Sequence, residues 1–375
     1  MRHILLVAGV LGGGLPVLAF AQTAVPPTFE ETLVVSASLD AEDREDVPAT
    51  VTVLDAEEIE ARQAESLAEL ISTVPGVTVA QAGGPGQQTS LFLRGAESDQ
   101  TLLLWNGIQL NNPYFGGVNW QLVSTDGVER VEVARGPFSA LYGSNALGGV
   151  VQVFTGAQQG ATLRLEGGEN GYARAGLAGG ADFGAVRLDV TGNIRRSDGE
   201  LRNSFFDSEE LVARTLWTMR PGVQLGLLVR GNDSDNGIPL SGGQETPRRT
   251  IAWQETEVAI PFKAEAGRWE VEAQLSRTAF ESVFRDPDSA FGPATDTESE
   301  GLRGRTVVTW RAGDRLWVAA GSEVERLEVT DSSSLGINLD GARQRTWAAF
   351  GQASWGAGPV RLDVGLRRDD NDVYG

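Results

Sequence analysis

From about residue 160 onward, apolar and polar residues alternate one by one through most of the chain. In "AVRLDVTGNIRR", Val186, Leu188, Val190 and Ile194 share one face of an extended strand, and Arg187, Asp189, Thr191, Asn193 and Arg195 share the other. Val223, Leu225, Leu227 and Val229 repeat the pattern, as do Val360, Leu362, Val364 and Leu366 opposite Arg361, Asp363 and Arg367. Successive side chains of a strand point to opposite faces, so this period predicts a long antiparallel sheet with one apolar face. The connections alternate as well. Short ones fall at 181–184, 220–222, 265–268, 312–314 and 356–359, and long polar ones near 197–210, 231–250, 284–299 and 330–344. Tight turns on one edge and long loops on the other predict a transmembrane β-barrel. Trp217, Trp253, Trp269, Trp310, Trp317, Trp347 and Trp355 sit near strand ends, where an interfacial girdle would lie; ordinary core packing is the alternative for any one of them.

Residues 46–158 have a different texture. "ATVTVLD" (49–55) reads as a strand, followed by a helix that Asp55 and Glu58 cap, then a second helix that Ser66 and Glu69 cap and Pro75–Gly76 ends. Further strands are predicted in "SLFLRG" (90–95), "QTLLLWNGIQLN" (100–111), "GVERVEVARG" (127–136) and "GGVVQVFT" (148–155). Asn106–Gly107 predicts a type I′ hairpin turn. The fold class is thus a compact α+β domain followed by an antiparallel transmembrane β-barrel over 159–375. About eleven strands are counted from residue 161. The count is odd and the last strand runs toward the long-loop side, so the chain is expected to be a fragment of a barrel of about 22 strands.

The first 21 residues read as a signal peptide: Arg2 and His3, an apolar run from Ile4 to Leu18 broken by Gly12–Gly14 and Pro16, and a small-residue cleavage site at Ala19–Ala21. No cysteine is present, and His3 is the one histidine, which excludes Cys nucleophiles, thiolate metal sites and His-dependent catalysis in the mature chain. A net charge of −20 argues against nucleic acid. No phosphate-loop motif supplies an energy source within the chain. An enzyme is not expected.

Residues 22–45 carry "ETLVVSAS" ahead of a charged run, with β-branched Val34 and Val35 lacking any local core. Either the segment folds back on the protein or it adds a strand to another protein's sheet. In the α+β domain, "LRGAESDQTLLLWNGIQLNNP" and "VERVEVARGPFSALYGSNALGGVVQVFT" form a long ordered pattern. With the leader before and the barrel after, the chain resembles the TonB-dependent outer-membrane receptors, and within them the cobalamin-receptor subgroup.

That resemblance implies an outer-membrane location and no resident cofactor. It implies active uptake of cobalamin or, alternatively, of a ferric siderophore or other metal chelate. Glu31, Thr32, Leu33, Val34, Val35 and Ser36 would be the TonB box, pairing with the periplasmic TonB protein. Residues 46–158 would be the plug, with the loops 83–88 and 112–119 facing outward. Tyr114, Phe115, Asn119 and Trp120 would contact the cargo or pack the loop. Arg94 and Arg135 would pair with acidic residues of the inner barrel wall, an ion pair inside the plug being the alternative. Asp207, Asp233 and Asp235, placed in outer loops, would bind calcium or belong to solvated turns. A passive porin or an adhesive barrel has no need of a plug or a TonB box.

Overall fold

The computed structural model describes residues 33–34, 39, 42–43, 50–156, 160–289, 292–313, 315–357 and 360–373. The predicted leader lies outside the described residues. Two short strands, β1 (Leu33–Val34) and β2 (Glu42–Asp43), precede the α+β domain. The domain runs through β3 (Thr50–Leu54), α1 (Ala56–Arg62), α2 (Leu67–Ser72), β4 (Val77–Gln81), β5 (Thr89–Leu93), β6 (Thr101–Trp105), β7 (Ile108–Gln109), β8 (Val128–Arg135), α3 (Ser139–Tyr142) and β9 (Gly149–Thr155).

Both predicted helix starts are capped as the sequence requires. Asp55 accepts from the Glu58 amide at 2.9 Å and Ser66 from the Glu69 amide at 3.2 Å, satisfying donors that the first helical turn leaves free. The main sheet has the order β3-β8-β9-β6-β7, with β6 and β9 parallel and the other pairs antiparallel. Leu103, Trp105, Val131, Val133, Val151 and Val153 pack against α1 and α2 on one side. Leu102, Leu104, Ala134 and Val150 meet Phe138 and Leu141 on the other. Every residue of β6 is therefore buried, and its "TLLLW" run does not alternate because both faces are covered. The β6–β7 turn has positive φ at Asn106 (47°) and Gly107 (83°), as a type I′ turn demands. Strand β4, which pairs with β5, is not among the predicted elements.

The rest of the chain forms one antiparallel sheet of eleven strands. These are β10 (Gly160–Gly167), β11 (Ala173–Phe183), β12 (Val186–Ser197), β13 (Phe206–Arg220) and β14 (Val223–Gly237). After a loop hairpin, β15 (Leu240–Ser241) and β16 (Gln244–Glu245), come β17 (Thr250–Ala266), β18 (Trp269–Arg285), β19 (Ala294–Arg311), β20 (Leu316–Ser333), β21 (Gly336–Ala357) and β22 (Val360–Asn371). Short connections follow β11, β13, β17, β19 and β21, on the edge where the pattern puts them. The long connections are shorter than expected. Strand β14 continues to Gly237, and β20 and β21 are joined across Ser334 and Leu335, so 330–344 is a hairpin of two long strands. The polar residues there are strand residues. Beyond the hydrocarbon both faces meet water, and the period-2 signal that marks a strand disappears.

Register and burial assign the two faces of this wall. On β14, Leu228, Arg230, Asn232, Ser234 and Asn236 are buried toward the α+β domain, while Leu227 and Val229 are exposed on the other side. Following the registers outward gives an apolar band of alternate residues: Val223–Val229 on β14, Trp269–Leu275 on β18, Val360–Leu366 on β22. An outward apolar band of this kind is the lipid-facing feature of outer-membrane barrels. Trp217, Trp269, Trp310 and Trp355 face away from the plug at the short-turn edge, with Trp269 and Trp310 rings 6.3 Å apart, and Trp347 marks the opposite edge. Trp253 and Trp317 depart from the predicted girdle. They occupy positions facing the plug: Trp253 pairs with Ser234 and meets Phe280 at 5.3 Å, and Trp317 is buried with Val307, Ala319 and Phe350.

Candidate functional site

The α+β domain is seated on the polar face of the wall, and its contacts define which end is which. Toward the long-loop edge, Gln87 Nε2 donates to the Gly237 carbonyl at 2.8 Å, and Asn236 donates to the Gly86 carbonyl. Gly86 has φ +76°, and a Cβ there would run into the Phe206 side chain, so glycine permits both the turn and the close approach. Toward the short-turn edge, Arg187 Nε and Arg214 Nη2 both donate to the Gly156 carbonyl, at 3.1 and 2.8 Å, where the domain joins the wall. The loops 83–88 and 112–119 therefore lie on the long-loop side.

The 112–120 stretch is built by two asparagines that sequence reasoning passes over. Asn111 accepts from the Leu103 amide at 2.9 Å and donates to the Thr101 and Gly116 carbonyls at 3.0 and 2.8 Å. Asn112 Oδ1 accepts from the amides of Tyr114 and Phe115 at 2.7 and 2.9 Å, the geometry of an Asx turn. The effect is to hold two aromatic rings out of the core: Tyr114 is 37% and Phe115 54% exposed, with centroids 4.7 Å apart. Asn119 and Trp120 do different work from that expected. Asn119 Nδ2 donates to Glu255 Oε1 on β17 at 2.8 Å, fastening the loop to the wall. Trp120 is fully buried in the plug core beside Leu67 and Ile71, so it cannot touch a ligand at the surface. A tryptophan in a Gly- and Asn-rich stretch looks like a surface residue until the core beneath it is known.

Below this loop the seat is ionic. Asp126 of the plug meets Arg174 on β11 at 2.9 Å, both buried. Arg195 on β12 donates to the Gln121 and Leu122 carbonyls at 3.3 and 3.0 Å. Arg230 on β14 is fully buried among three carboxylates, Glu210 at 2.8 Å and Glu255 and Glu257 at 3.1 Å each. Glu255 thus holds both the wall cation and the plug's Asn119. At the end of α3, the Leu141 carbonyl accepts from Arg305 and Arg367, which also stack on Phe350 and pair with Glu323.

Arg94 and Arg135 were expected to meet acidic residues of the barrel wall or of the plug. Among the described residues neither makes an ion pair. Arg94 donates to Thr50 Oγ1 at 3.1 Å, and Arg135 donates to Thr52 Oγ1 at 2.9 Å and to the Pro75 carbonyl. Desolvation and then the neighbouring Arg94 charge hold the Arg135 guanidinium below its ordinary pKa.

The calcium candidates also sit differently from the sequence reading. Asp207, Asp233 and Asp235 are strand residues of β13 and β14 on the face away from the plug, not loop residues. Asp207 lies opposite Asp235 and pairs with Arg196 at 3.3 Å. Among the described residues no three acidic, His or Cys side chains converge as a metal site. Alternation along a strand spreads such residues over a surface and does not wrap them around an ion.

At the N-terminal end, Leu33 pairs with Asp43 and Val34 with Glu42, so this part of the segment folds back on the chain. Glu31, Thr32, Val35 and Ser36 lie outside the described residues. Beyond β1, the Leu39 amide donates to Gln352 Oε1 on β21 at 3.0 Å, and Leu39 packs between the plug and the buried wall patch of Trp317 and Phe350.

A mixed-sheet plug seated on the polar face of a lipid-banded antiparallel wall defines a class. Residues 43–150 match the family model described as the TonB-dependent Receptor Plug Domain. Within that class the sequence is close to vitamin B12 transporters. The vitamin B12 transporter BtuB of Photobacterium profundum is 27% identical over 392 residues, covering 100% of this chain and 62% of that protein. BtuB of Vibrio vulnificus (strain CMCP6) is 36% identical over 172 residues, 45% of this chain and 27% of that protein. Among solved structures, P. aeruginosa FpvA in its ferric pyoverdine complex superposes with a TM-score of 0.75 at 14% identity, over 90% of this chain and 54% of that one. That likeness concerns the fold alone. The chain spans about three-fifths of the length of the curated relatives that it matches over nearly all its residues.

Proposed function

We propose that the protein takes up cobalamin across the outer membrane, with energy delivered through TonB. The observation that carries this reading is the orientation of the plug. It presents the exposed Tyr114–Phe115 pair on the long-loop side, and the Leu33–Val34 strand precedes a segment that is anchored at Leu39 toward the short-turn side. Cargo and energy source then meet opposite ends of one domain. The exposed rings offer apolar faces to a large macrocycle. Among the described residues strand β1 pairs with two residues of β2, and a sheet edge of another protein can replace that partner by backbone hydrogen bonds. The likeness to BtuB proteins over the whole chain favours cobalamin as cargo over an iron chelate.

The test uses cells in which the full-length receptor is the one route for cobalamin. Labelled cobalamin binds these cells in the cold and accumulates in them at growth temperature. Val35→Pro keeps binding and loses accumulation, because proline removes a backbone N–H and fixes φ near about −65°. Val35→Thr keeps both the N–H and the β-branching, and retains most uptake. Rescue by ferric siderophores with no cobalamin binding would overturn the cargo. Normal accumulation by Val35→Pro would overturn the coupling.

A further inference from the structure

The contacts that hold the plug are unevenly spread along the wall. On β11 to β17 they are buried: Asp126 on Arg174, the Gln121 and Leu122 carbonyls on Arg195, and Val212, Leu228 and Ala259 packed into the plug core. On β19 and β22, Arg305 and Arg367 hold the Leu141 carbonyl. Strand β18 lies between these regions and is different. Its inward positions below Phe280 are Thr278, Ser276 and Gln274, all neutral. Facing them, the plug presents Pro113, Gln109 and Gly107 in that order. Pro113 lies 3.5 Å from where a Cβ on Gly301, the cross-strand partner of Thr278, would stand. Gln109 accepts a hydrogen bond from Arg303, the partner of Ser276. A Cβ on Gly107 would stand 3.5 Å from Gln274 Nε2.

Among the described residues, the Gln109–Arg303 bond crosses this seam and no plug–wall ion pair does. A cavity of about 20 Å³, room for one water, already opens there between Gln109, Asn111 and Pro113 of the plug and Ser276, Thr278 and Arg303 of the wall. At its outer end the seam begins beside Tyr114, the residue after Pro113. Beyond Gln274 the next inward residue of β18, Glu272, is half-exposed, so the plug leaves the strand uncovered toward the short-turn edge.

We propose that the cargo passes the plug along this seam, between residues 107–113 and strands β18 and β19, with Arg303 as the bolt that closes it at rest. The inference rests on the uptake reading above and adds the route. Arg303 also donates to Glu325 on β20 at 2.7 Å, so when Gln109 withdraws the guanidinium keeps a carboxylate and no charge is left unpaired. Widening the seam therefore costs one hydrogen bond and the contact at Pro113. The same displacement at β11 strips Asp126 from the buried Arg174, and at β14 it opens the plug core at Leu228. Thr278, Ser276 and Gln274 then offer hydroxyls and a carboxamide along the route, which hydrogen-bond a neutral, amide-bearing cargo without trapping it in an ion pair.

The test places two engineered disulfides in the full-length receptor, in cells where it is the one route for cobalamin. Pro113→Cys with Gly301→Cys staples the seam shut; the Cβ separation there is 3.6 Å, within disulfide reach. Ala140→Cys with Gly365→Cys, whose Cβ positions are 3.3 Å apart, staples the plug to β22 and leaves the seam free. Labelled cobalamin binds both oxidised receptors in the cold as it binds the parent. At growth temperature the Pro113→Cys/Gly301→Cys receptor loses accumulation about tenfold or more, and a reductant restores it, as for a gate that must open. The Ala140→Cys/Gly365→Cys receptor accumulates cobalamin near the parental level. Ser276→Trp, which fills the cavity, lowers accumulation with binding intact. Heat-modifiable migration checks that each variant is folded. Undiminished accumulation in the oxidised Pro113→Cys/Gly301→Cys receptor or in Ser276→Trp, or an equal loss in Ala140→Cys/Gly365→Cys, would overturn the route. Loss of cold binding together with accumulation would place the effect at the Tyr114–Phe115 pair and overturn it as well. A parent receptor that binds no cobalamin would instead overturn the uptake reading itself.

Discussion

The two faces of the wall are made from the same strands, yet they obey opposite rules. On β14, Leu227 and Val229 are exposed on the side away from the plug, while Arg230 and Asn232 are buried against it. In a water-soluble sheet the apolar face would be the buried one. Here hydrocarbon takes the place of the core, and the polar face is covered by a domain that must satisfy its charges one by one. The apolar band needs no partner of particular shape. The polar face needs Arg230 placed among Glu210, Glu255 and Glu257, and Asp126 placed on Arg174. Tolerance is broad on one side and narrow on the other.

Four substitutions break or sharpen that contrast, each read as a shift in the unfolding midpoint of the full-length receptor in detergent or lipid. The largest effect is expected for Arg230→Met. It leaves buried Glu210 and Glu257 and half-buried Glu255 without their cation, at about 3–5 kcal/mol, and loosens the Glu255 that holds Asn119. A shift near zero would mean that water fills the seat. Leu227→Arg, on the other face of the same strand, costs about 2–4 kcal/mol in bilayers and much less in detergent. If the cost is equal in both media, the apolar band has been misplaced. Asp126→Asn removes the carboxylate facing Arg174 but keeps the shape, for about 1.5–3 kcal/mol. The smallest, Asp55→Ala, removes the α1 cap and costs about 1 kcal/mol. It acts within the plug and should leave the wall's heat-modifiability intact.

Local chemistry is the most legible part. Caps at Asp55 and Ser66 and the turn at Asn106–Gly107 depend on residues close together in the chain, and all three form as their residue types require. Strand β4, "VTVAQ", is hard to see in the sequence because it follows the Pro75–Gly76 stop directly and pairs with β5 alone. The outer ends of β14, β20 and β21 look like loops because polar residues on both faces erase the alternation. At the candidate site, Tyr114 and Phe115 are as exposed as their surroundings suggest, whereas Trp120 belongs to the core.

The amino-acid pattern settles that these strands exist, that they alternate, and on which edge the short turns lie, because strand geometry repeats every two residues and is written locally. It does not settle what a given side chain faces. Trp253 and Trp269 look alike in the sequence, but the register with neighbouring strands turns the first toward the plug and the second away from it. Nor does it name partners. Asn119 and Glu255 are 136 residues apart, and the strands between them contain many carboxylates. Which of these meets the plug depends on how two surfaces come to rest on each other, a property of the assembled fold and not of any stretch of chain.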